Sequence, residues 1–278
     1  MKVTNTHGLP SVLVKSCENQ RKPKAESLSC TELIDSPLIH RLKLEHWDYL
    51  EVDVSEMVWA MTGTALHQMV EKHGAGTAEI ALECEFEGKK ITGTCDHLTP
   101  DLISDWKTTS VWSVMINNDW LNKVAEQLNI YRYLHWKMTG MLIPRLSACV
   151  IFRDWRRSEQ KRNPQEYPSR NVIEYNVDCW SVGECENFIR ERLAFHADKE
   201  YVCSMAERWA KPSTWAVIKK GAKRATRVFE NEMQAIDMAV TDSSYEVDYR
   251  PGAHLRCDEY CPVRQVCKWR IQNDDIDI

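Results

Sequence analysis

Residues 91–110 read ITGTCDHLTPDLISDWKTTS, and this stretch decides the fold. KITGTCDH (90–97) and LISDWK (102–107) read as strands, joined by a turn at Thr99-Pro100-Asp101. Ahead of them, EIALECEF (79–86) has period two: Ile80, Leu82, Cys84 and Phe86 point one way, Glu83 and Glu85 the other. Glu87-Gly88 turns it into the next strand, so three consecutive strands form a meander. Asp105 and Lys107, two apart on one strand, project from the same face, and the turn brings Asp96 alongside them. Adjacent carboxylates repel unless a divalent cation neutralises them. Magnesium suits such a pair, because it takes few carboxylates and fills its octahedron with water and phosphate oxygens. A neighbouring lysine can orient an attacking water or offset transition-state charge. The chemistry implied is hydrolysis of a phosphodiester. Asp-X-Lys alone is common as a solvated surface pair, and the strand-turn-strand frame is what gives it weight here.

Outward from this meander the period becomes helical. A helix is expected from about Thr31, with Leu33, Ile34, Leu38, Ile39 and Leu42 on its apolar side and Pro37 dividing it in two. A second covers about 61–73, and a long one 119–137, where Leu121, Val124, Leu128, Tyr131 and His135 recur at helical spacing. RLSACVIF (145–152) and VIEYNV (172–177) read as neighbouring strands, and 181–199 as an amphipathic helix. The order predicts an α/β fold, a central mixed β-sheet flanked by helices, with a cysteine-rich metal-binding segment at the C-terminal end. One domain is expected over 27–278, with its catalytic core at about 60–140 and the cysteines at about 254–270. Residues 1–26 are polar and basic (Lys15, Arg21, Lys22, Lys24) and read as a flexible arm.

A net charge of −5 argues against a polycation that coats nucleic acid, while leaving room for local basic patches. Two such stretches exist. One spans Arg153 to Arg170, with Arg156 and Arg157; the other spans Lys219 to Arg227, with Lys220, Lys223 and Arg224. Both suit non-sequence-specific contacts to phosphates, and both also read as ordinary solvated loops. Trp155 or Trp106 could stack on an unpaired base. No apolar run approaches the length of a membrane span and no signal peptide is recognisable, so a cytoplasmic address without a membrane partner is expected. Eleven cysteines, an odd total with uneven spacing, argue against a disulfide framework.

Four motifs, in order, resemble the RecB-like exonuclease branch of the PD-(D/E)XK nucleases, which includes phage recombination exonucleases and CRISPR-adaptation nucleases. Gly63-Thr-Ala-Leu-His67 matches that branch's Gly-x-x-x-His helix, and Gly93-Thr-Cys-Asp96 its Gly-x-x-Asp strand. Asp105-Trp-Lys107 matches Asp/Glu-x-Lys, and Gln127-Leu-Asn-Ile-Tyr131 the downstream Gln-x-x-x-Tyr helix. The resemblance implies a restriction-endonuclease-like core. It makes Asp96, Asp105 and His67 metal ligands, Lys107 the catalytic lysine, and Gln127 and Tyr131 residues bordering the active site. An imidazole ligand favours manganese over magnesium. Taken alone, His67 reads as a core histidine and Tyr131 as core packing. Glu83 or Glu85 could extend the acidic site, with Glu83 taken as the further ligand, or both could be the solvent face of an edge strand. The implied activity is exonucleolytic cleavage of DNA ends in phage-type recombination or repair, beside an annealing or single-strand-binding protein. An endonuclease of the CRISPR-adaptation kind and a non-catalytic DNA-binding accessory protein are the rival readings.

The remaining signal is Cys257-Asp-Glu-Tyr-Cys261-Pro-Val-Arg-Gln-Val-Cys267. Three closely spaced cysteines, one followed by proline, read as ligands to a metal or cluster. Many members of the family it resembles hold a four-iron iron–sulfur cluster with three such cysteines and a fourth from before the core, a place that Cys30 fits better than Cys17. The family leaves two residues between the first pair, whereas three separate Cys257 and Cys261. Zinc on the three cysteines with Cys30 or His254 therefore stays open, as do plain thiols.

Overall fold

The computed structural model describes residues 1–74, 77–115 and 118–274. It forms two compact units, Met1–Tyr201 and Val202–Ile278, where the sequence reading sets a single domain over 27–278. In the first unit the elements are β1 (Lys2–Thr4), α1 (Ser11–Cys17), β2 (Ser27–Ser29), α2 (Cys30–Ile34), α3 (Pro37–His46), β3 (Glu51–Asp53) and α4 (Val58–Glu71). They continue with β4 (Ala78–Phe86), β5 (Lys89–Leu98), β6 (Leu102–Thr109), α5 (Val111–Met115), α6 (Asn118–Thr139), β7 (Arg145–Phe152), α7 (Arg157–Arg162), β8 (Val172–Val177) and α8 (Val182–Ala197). The second unit has β9 (Ala210–Lys211), β10 (Thr214–Lys219), β11 (Ala225–Phe229), α9 (Glu232–Ala239), β12 (Tyr245–Arg250), β13 (Ala253–His254) and α10 (Lys268–Asp274).

The first unit is built on a mixed sheet flanked by helices, as expected. Its path is β2-β5-β6-β7-β8, with β4 also on β5. β2 runs parallel to β5 and β7 parallel to β6, while β4–β5, β5–β6 and β7–β8 are antiparallel. The β4–β5 hairpin closes through Glu87 and Gly88, both at positive φ (48° and 77°), so its twist matches that of the strands it joins. Ile91 and Cys95 of β5, with Leu82 and Phe86 of β4, are buried with Leu128, Tyr131 and Leu134 of α6 in one apolar core. Pro37 does split the first helical stretch. Ser29 caps α2 through a reciprocal bond with Glu32, and α3 begins afresh at the proline, where a missing N–H costs nothing.

Two short elements lie within the stretch expected to be a flexible arm. β1 pairs in parallel with β3, from Lys2↔Glu51 to Thr4↔Asp53, and α1 buries Cys17 against Val54 and Met57. These elements rest on backbone pairing and on the small apolar set Val3, Leu9, Leu13, Val14 and Cys17, which sits between the charges.

In the second unit, α9 packs on a three-stranded antiparallel sheet, β11-β10-β12, and β13 pairs with β9 in a separate two-stranded ladder. The cysteine-rich segment follows that ladder.

Candidate active site

β5 changes partner along its length. It pairs with β6 only at His97↔Ser104 and Leu98↔Ile103, and at its other end, Lys90–Thr92, with β2. The two strands diverge between these contacts. Asp96 and Asp105 are the next residues in the β5–β6 register, so they face each other at the mouth of the fork. The Trp106 N–H donates to Asp96 Oδ2 at 2.7 Å, in place of a bond to a neighbouring strand. Lys107, one pleat beyond Asp105, brings Nζ to 2.5 Å from Asp105 Oδ2. That contact is an ion pair without good hydrogen-bond alignment: Asp105 is 1% exposed, and neither carboxylate oxygen has a well-directed donor. Lone pairs are thus left over for a cation.

Two further side chains complete the cluster. His67, on α4, places Nδ1 3.4 Å from Asp96 Oδ1 and 3.8 Å from Glu79 Oε1, and its Nε2 is 3.1 Å from the Trp106 carbonyl oxygen. Among the described residues, His67, Glu79 and Asp96 are the one group of three or more potential metal ligands whose donor atoms all lie within 4.8 Å of one another. Glu79 is absent from the set drawn from the sequence, although the turn held the signal. A two-residue turn at Glu87-Gly88 pairs Phe86 with Lys89, and counting back along the ladder sets Glu79 opposite Asp96. Glu79 itself sits at φ 53°, a left-handed conformation uncommon for a side chain of this size.

The charges divide unequally. Burial pushes the Asp105 carboxyl up to about 6, Lys107 pulls against that, and the facing Asp96 raises it further. Burial also pushes Asp96 up, but His67, the Trp106 N–H and Lys107 together hold it below the usual carboxylate range. The bond to Asp96 raises the His67 imidazole. Burial, and then Asp96, raise Glu79. One carboxylate therefore stays charged beside another that holds its proton more tightly, the pattern expected of acids crowded into one site.

The other sequence candidates fall in several places. Glu83 does not join the group: it lies opposite Thr92, four residues along β4 from Glu79, in an exposed pair with Lys90 at 2.7 Å. Gln127 and Tyr131 are buried on α6, with Gln127 Nε2 donating to Tyr131 Oη at 2.6 Å. A Cβ on Gly93 would stand 2.5 Å from Tyr131 Cε1, so glycine is what lets this ring lie on β5. The Tyr131 hydroxyl is close enough to Asp105 and Asp96 for their charge to act on it. Arg156 and Arg157 lie at the exposed start of α7, where the Arg156 N–H donates to the Tyr167 hydroxyl. Trp155 is anchored by its indole N–H on Pro168 O, and Trp106 lies 6.5 Å from the His97 ring. Lys220, Lys223 and Arg224 are exposed at the tip of the β10–β11 hairpin of the second unit. Cys30 is enclosed in the core of the first unit, its Sγ 3.0 Å from where a Gly93 Cβ would stand. Cys257, Cys261 and Cys267 all belong to the second unit, and none of the eleven cysteines is in a disulfide.

No family model matches the chain, and no curated protein does. Among solved structures, the chain is similar to that of SSO0001, with 16% identity over 72% of this chain and 87% of that one, at a TM-score of 0.46. It is also similar to a protein from Eubacterium rectale that carries a provisional exonuclease name, with 13% identity over 83% of this chain and 60% of that one, at a TM-score of 0.30. Both likenesses are distant, and the functional reading rests on the geometry of the fork.

Proposed function

We propose that this chain is a divalent-metal-dependent deoxyribonuclease that hydrolyses phosphodiester bonds at DNA ends. The observation that carries this reading is the convergence of Asp96, Asp105 and Lys107 with His67 and Glu79 at the β5–β6 fork. The donor set fits a hard cation. Asp96, Asp105 and Glu79 offer carboxylate oxygens, the Trp106 carbonyl lies beside them, and buried Asp105 oxygens lack aligned donors. A nitrogen from His67 makes manganese a better occupant than magnesium. The chemistry a bound cation would supply is polarisation of the phosphoryl group and a lowered pKa for the attacking water.

The chain's own residues then divide the work. Lys107, a quarter exposed, reaches from the buried carboxylate toward solvent, where it can orient the nucleophile and meet charge on the phosphoryl oxygens. The Trp106 N–H helps hold Asp96 charged. Gln127 and Tyr131 would be positioning residues, since both are buried and the charges of Asp105 and Asp96 reach the Tyr131 hydroxyl. Arg156 and Arg157 on the first unit, and Lys220, Lys223 and Arg224 on the second, would grip phosphates without reading sequence. Recombination or repair of ends, beside an annealing or single-strand-binding protein, is the setting that this activity fits.

The test is a time course on end-labelled linear duplex and single-stranded DNA with manganese, magnesium or chelator, run beside covalently closed circles. Release of nucleotides from ends, silent in chelator and lowered by about 10²–10⁴-fold in Lys107→Ala, is expected. Cleavage of closed circles would reassign the chain as an endonuclease. Undiminished cleavage by Lys107→Ala would overturn the site, and DNA binding without cleavage in either metal would reduce the chain to an accessory protein.

A further inference from the structure

The three-stranded sheet of the second unit carries two features that the fork does not use. Along β10 and β11, from Thr214 to Phe229, TWAVIKKGAKRATRVF contains the cations Lys219, Lys220, Lys223, Arg224 and Arg227 and no carboxylate. In the same sheet, Trp215 of β10 lies directly opposite Phe229 of β11 on one side and Tyr249 of β12 on the other. Residues paired in this way present their side chains on one face. An aromatic residue from each strand therefore stands in one row, at the strand spacing of about 4.8 Å. The Trp215 and Tyr249 ring centroids are 5.4 Å apart, and the Arg227 guanidinium lies 4.8 Å from the centroid of Phe229. One row further in, Val217 sits between Val247 and Arg227 and is fully buried. Lys219 and Tyr245 form the row after that.

α9 packs across these strands but does not close over the aromatic row. Tyr249 is 56% exposed, Trp215 and Phe229 are half-buried, and a cavity of about 570 Å³ opens beside them. Trp215, Val247 and Tyr249 line it from the sheet, Glu232 and Ile236 from the helix. Rings that served only as core would be sealed by the helix above them. We propose that this face of the second unit binds single-stranded DNA, stacking unpaired bases on Trp215, Tyr249 and Phe229 and holding their phosphates with the cations of the β10–β11 hairpin. That the polymer is DNA rests on the nuclease reading, and that it is single-stranded rests on the aromatic row.

The two features together select this ligand. An apolar protein partner would leave the hairpin's cations unneutralised, and a small anion would leave the rings unused. A chain of phosphates bearing flat apolar faces engages both. Duplex DNA hides those faces between its own base pairs, whereas a single strand laid across β12, β10 and β11 meets a ring on each. The Arg227 guanidinium over Phe229 adds a second flat surface for a base. Glu232 suits the cavity to a base rather than a phosphate, because a carboxylate repels phosphate and accepts from exocyclic amines. Lys219, Lys220, Lys223, Arg224 and Arg227 are all exposed, and so are free to follow the backbone of the strand.

Binding of the full chain to a labelled single-stranded DNA of about 16 nucleotides is followed by fluorescence anisotropy, in chelator so that no cleavage intervenes. Blunt duplex of the same sequence is the comparison. Tyr249→Ala and Trp215→Ala should each weaken single-strand binding about tenfold, and Trp215→Phe, which keeps a ring, should stay within about threefold of wild type. Duplex binding should change less than about twofold in all of these. Replacing Lys220, Lys223 and Arg224 together by glutamine should lower the salt slope of single-strand binding by about 2. Tyr249 is mostly in solvent, so Tyr249→Ala decides the matter even where Trp215→Ala fails to fold. Equal single-strand affinity in wild type and Tyr249→Ala overturns the proposal, and so does a wild-type preference for duplex. Weakened binding in Tyr249→Ala, with no cleavage by wild type in any metal, would keep the platform and remove the nuclease. Cleavage with unchanged binding would do the reverse.

Discussion

The acidic fork of the first unit and the cysteine-rich segment of the second each hold several like groups, yet the chain restrains them differently. At the fork, each carboxylate meets a cationic or N–H partner already in the chain: Lys107 for Asp105, His67 and the Trp106 N–H for Asp96. In the second unit the Arg208 guanidinium lies over Trp269, and its charge acts on Cys257. Balance by the chain's own side chains lets carboxylates crowd together at the fork. Burial pushes the Cys257 thiol up to about 11, so it stays neutral and needs no such partner.

The largest expected effect breaks this contrast directly. Lys107→Ala should cost about 4 kcal/mol, because it leaves the buried Asp105 carboxyl without its cation, whereas Arg208→Ala, beside neutral thiols, should cost less than about 1 kcal/mol. A urea titration of each variant checks it, and equal losses would erase the distinction. Next, Gly93→Ala should cost about 3 kcal/mol, because the added carbon meets a buried Tyr131 ring that cannot give way. A urea titration measures this cost, and a change under about 1 kcal/mol would mean that the ring is loosely held.

Glu79→Gln should weaken manganese binding about 10–100-fold, whereas Glu83→Gln, at an exposed pair, should leave it unchanged and shift stability by less than about 1 kcal/mol. Calorimetric titration separates the two glutamates, and a reversed order would restore Glu83 as the ligand. The smallest effect concerns acid. Burial pushes His196 down to about 4, against the pull of its bond to Leu33 O. The unfolded imidazole takes a proton as pH falls below its ordinary value near 6.5, while the folded one stays neutral to about 4. Stability contributed above 6.5 is therefore lost across that window. The loss is on the order of 1–2 kcal/mol once solvent screening is allowed for. Denaturation midpoints at about pH 7 and about pH 4.5 read it, and His196→Gln should flatten the slope.

Much of the fork was legible from local pattern alone. Alternation marked out β4, β5 and β6, and spacing put Asp105 and Lys107 on one face, because a strand's side chains obey a local rule. Glu79 was missed because its place beside Asp96 depends on register, which alternation leaves open by whole pleats; Glu83 and Glu79 share a face but lie four residues apart. The order of residues 1–26 was hidden for a similar reason, since the pairing of Lys2 with Glu51 is long-range and nothing local announces it.

The bond between the Trp106 N–H and Asp96 has a consequence for how this chain could decay. Asp96 fills a rung that the diverging strands leave open, so it is part of the sheet's own scaffolding as well as part of the acidic cluster. Lys107 carries no such second duty, for its ammonium group meets a carboxylate rather than a backbone rung. Replacing Lys107 would therefore leave every rung of the sheet in place, whereas replacing Asp96 would open one.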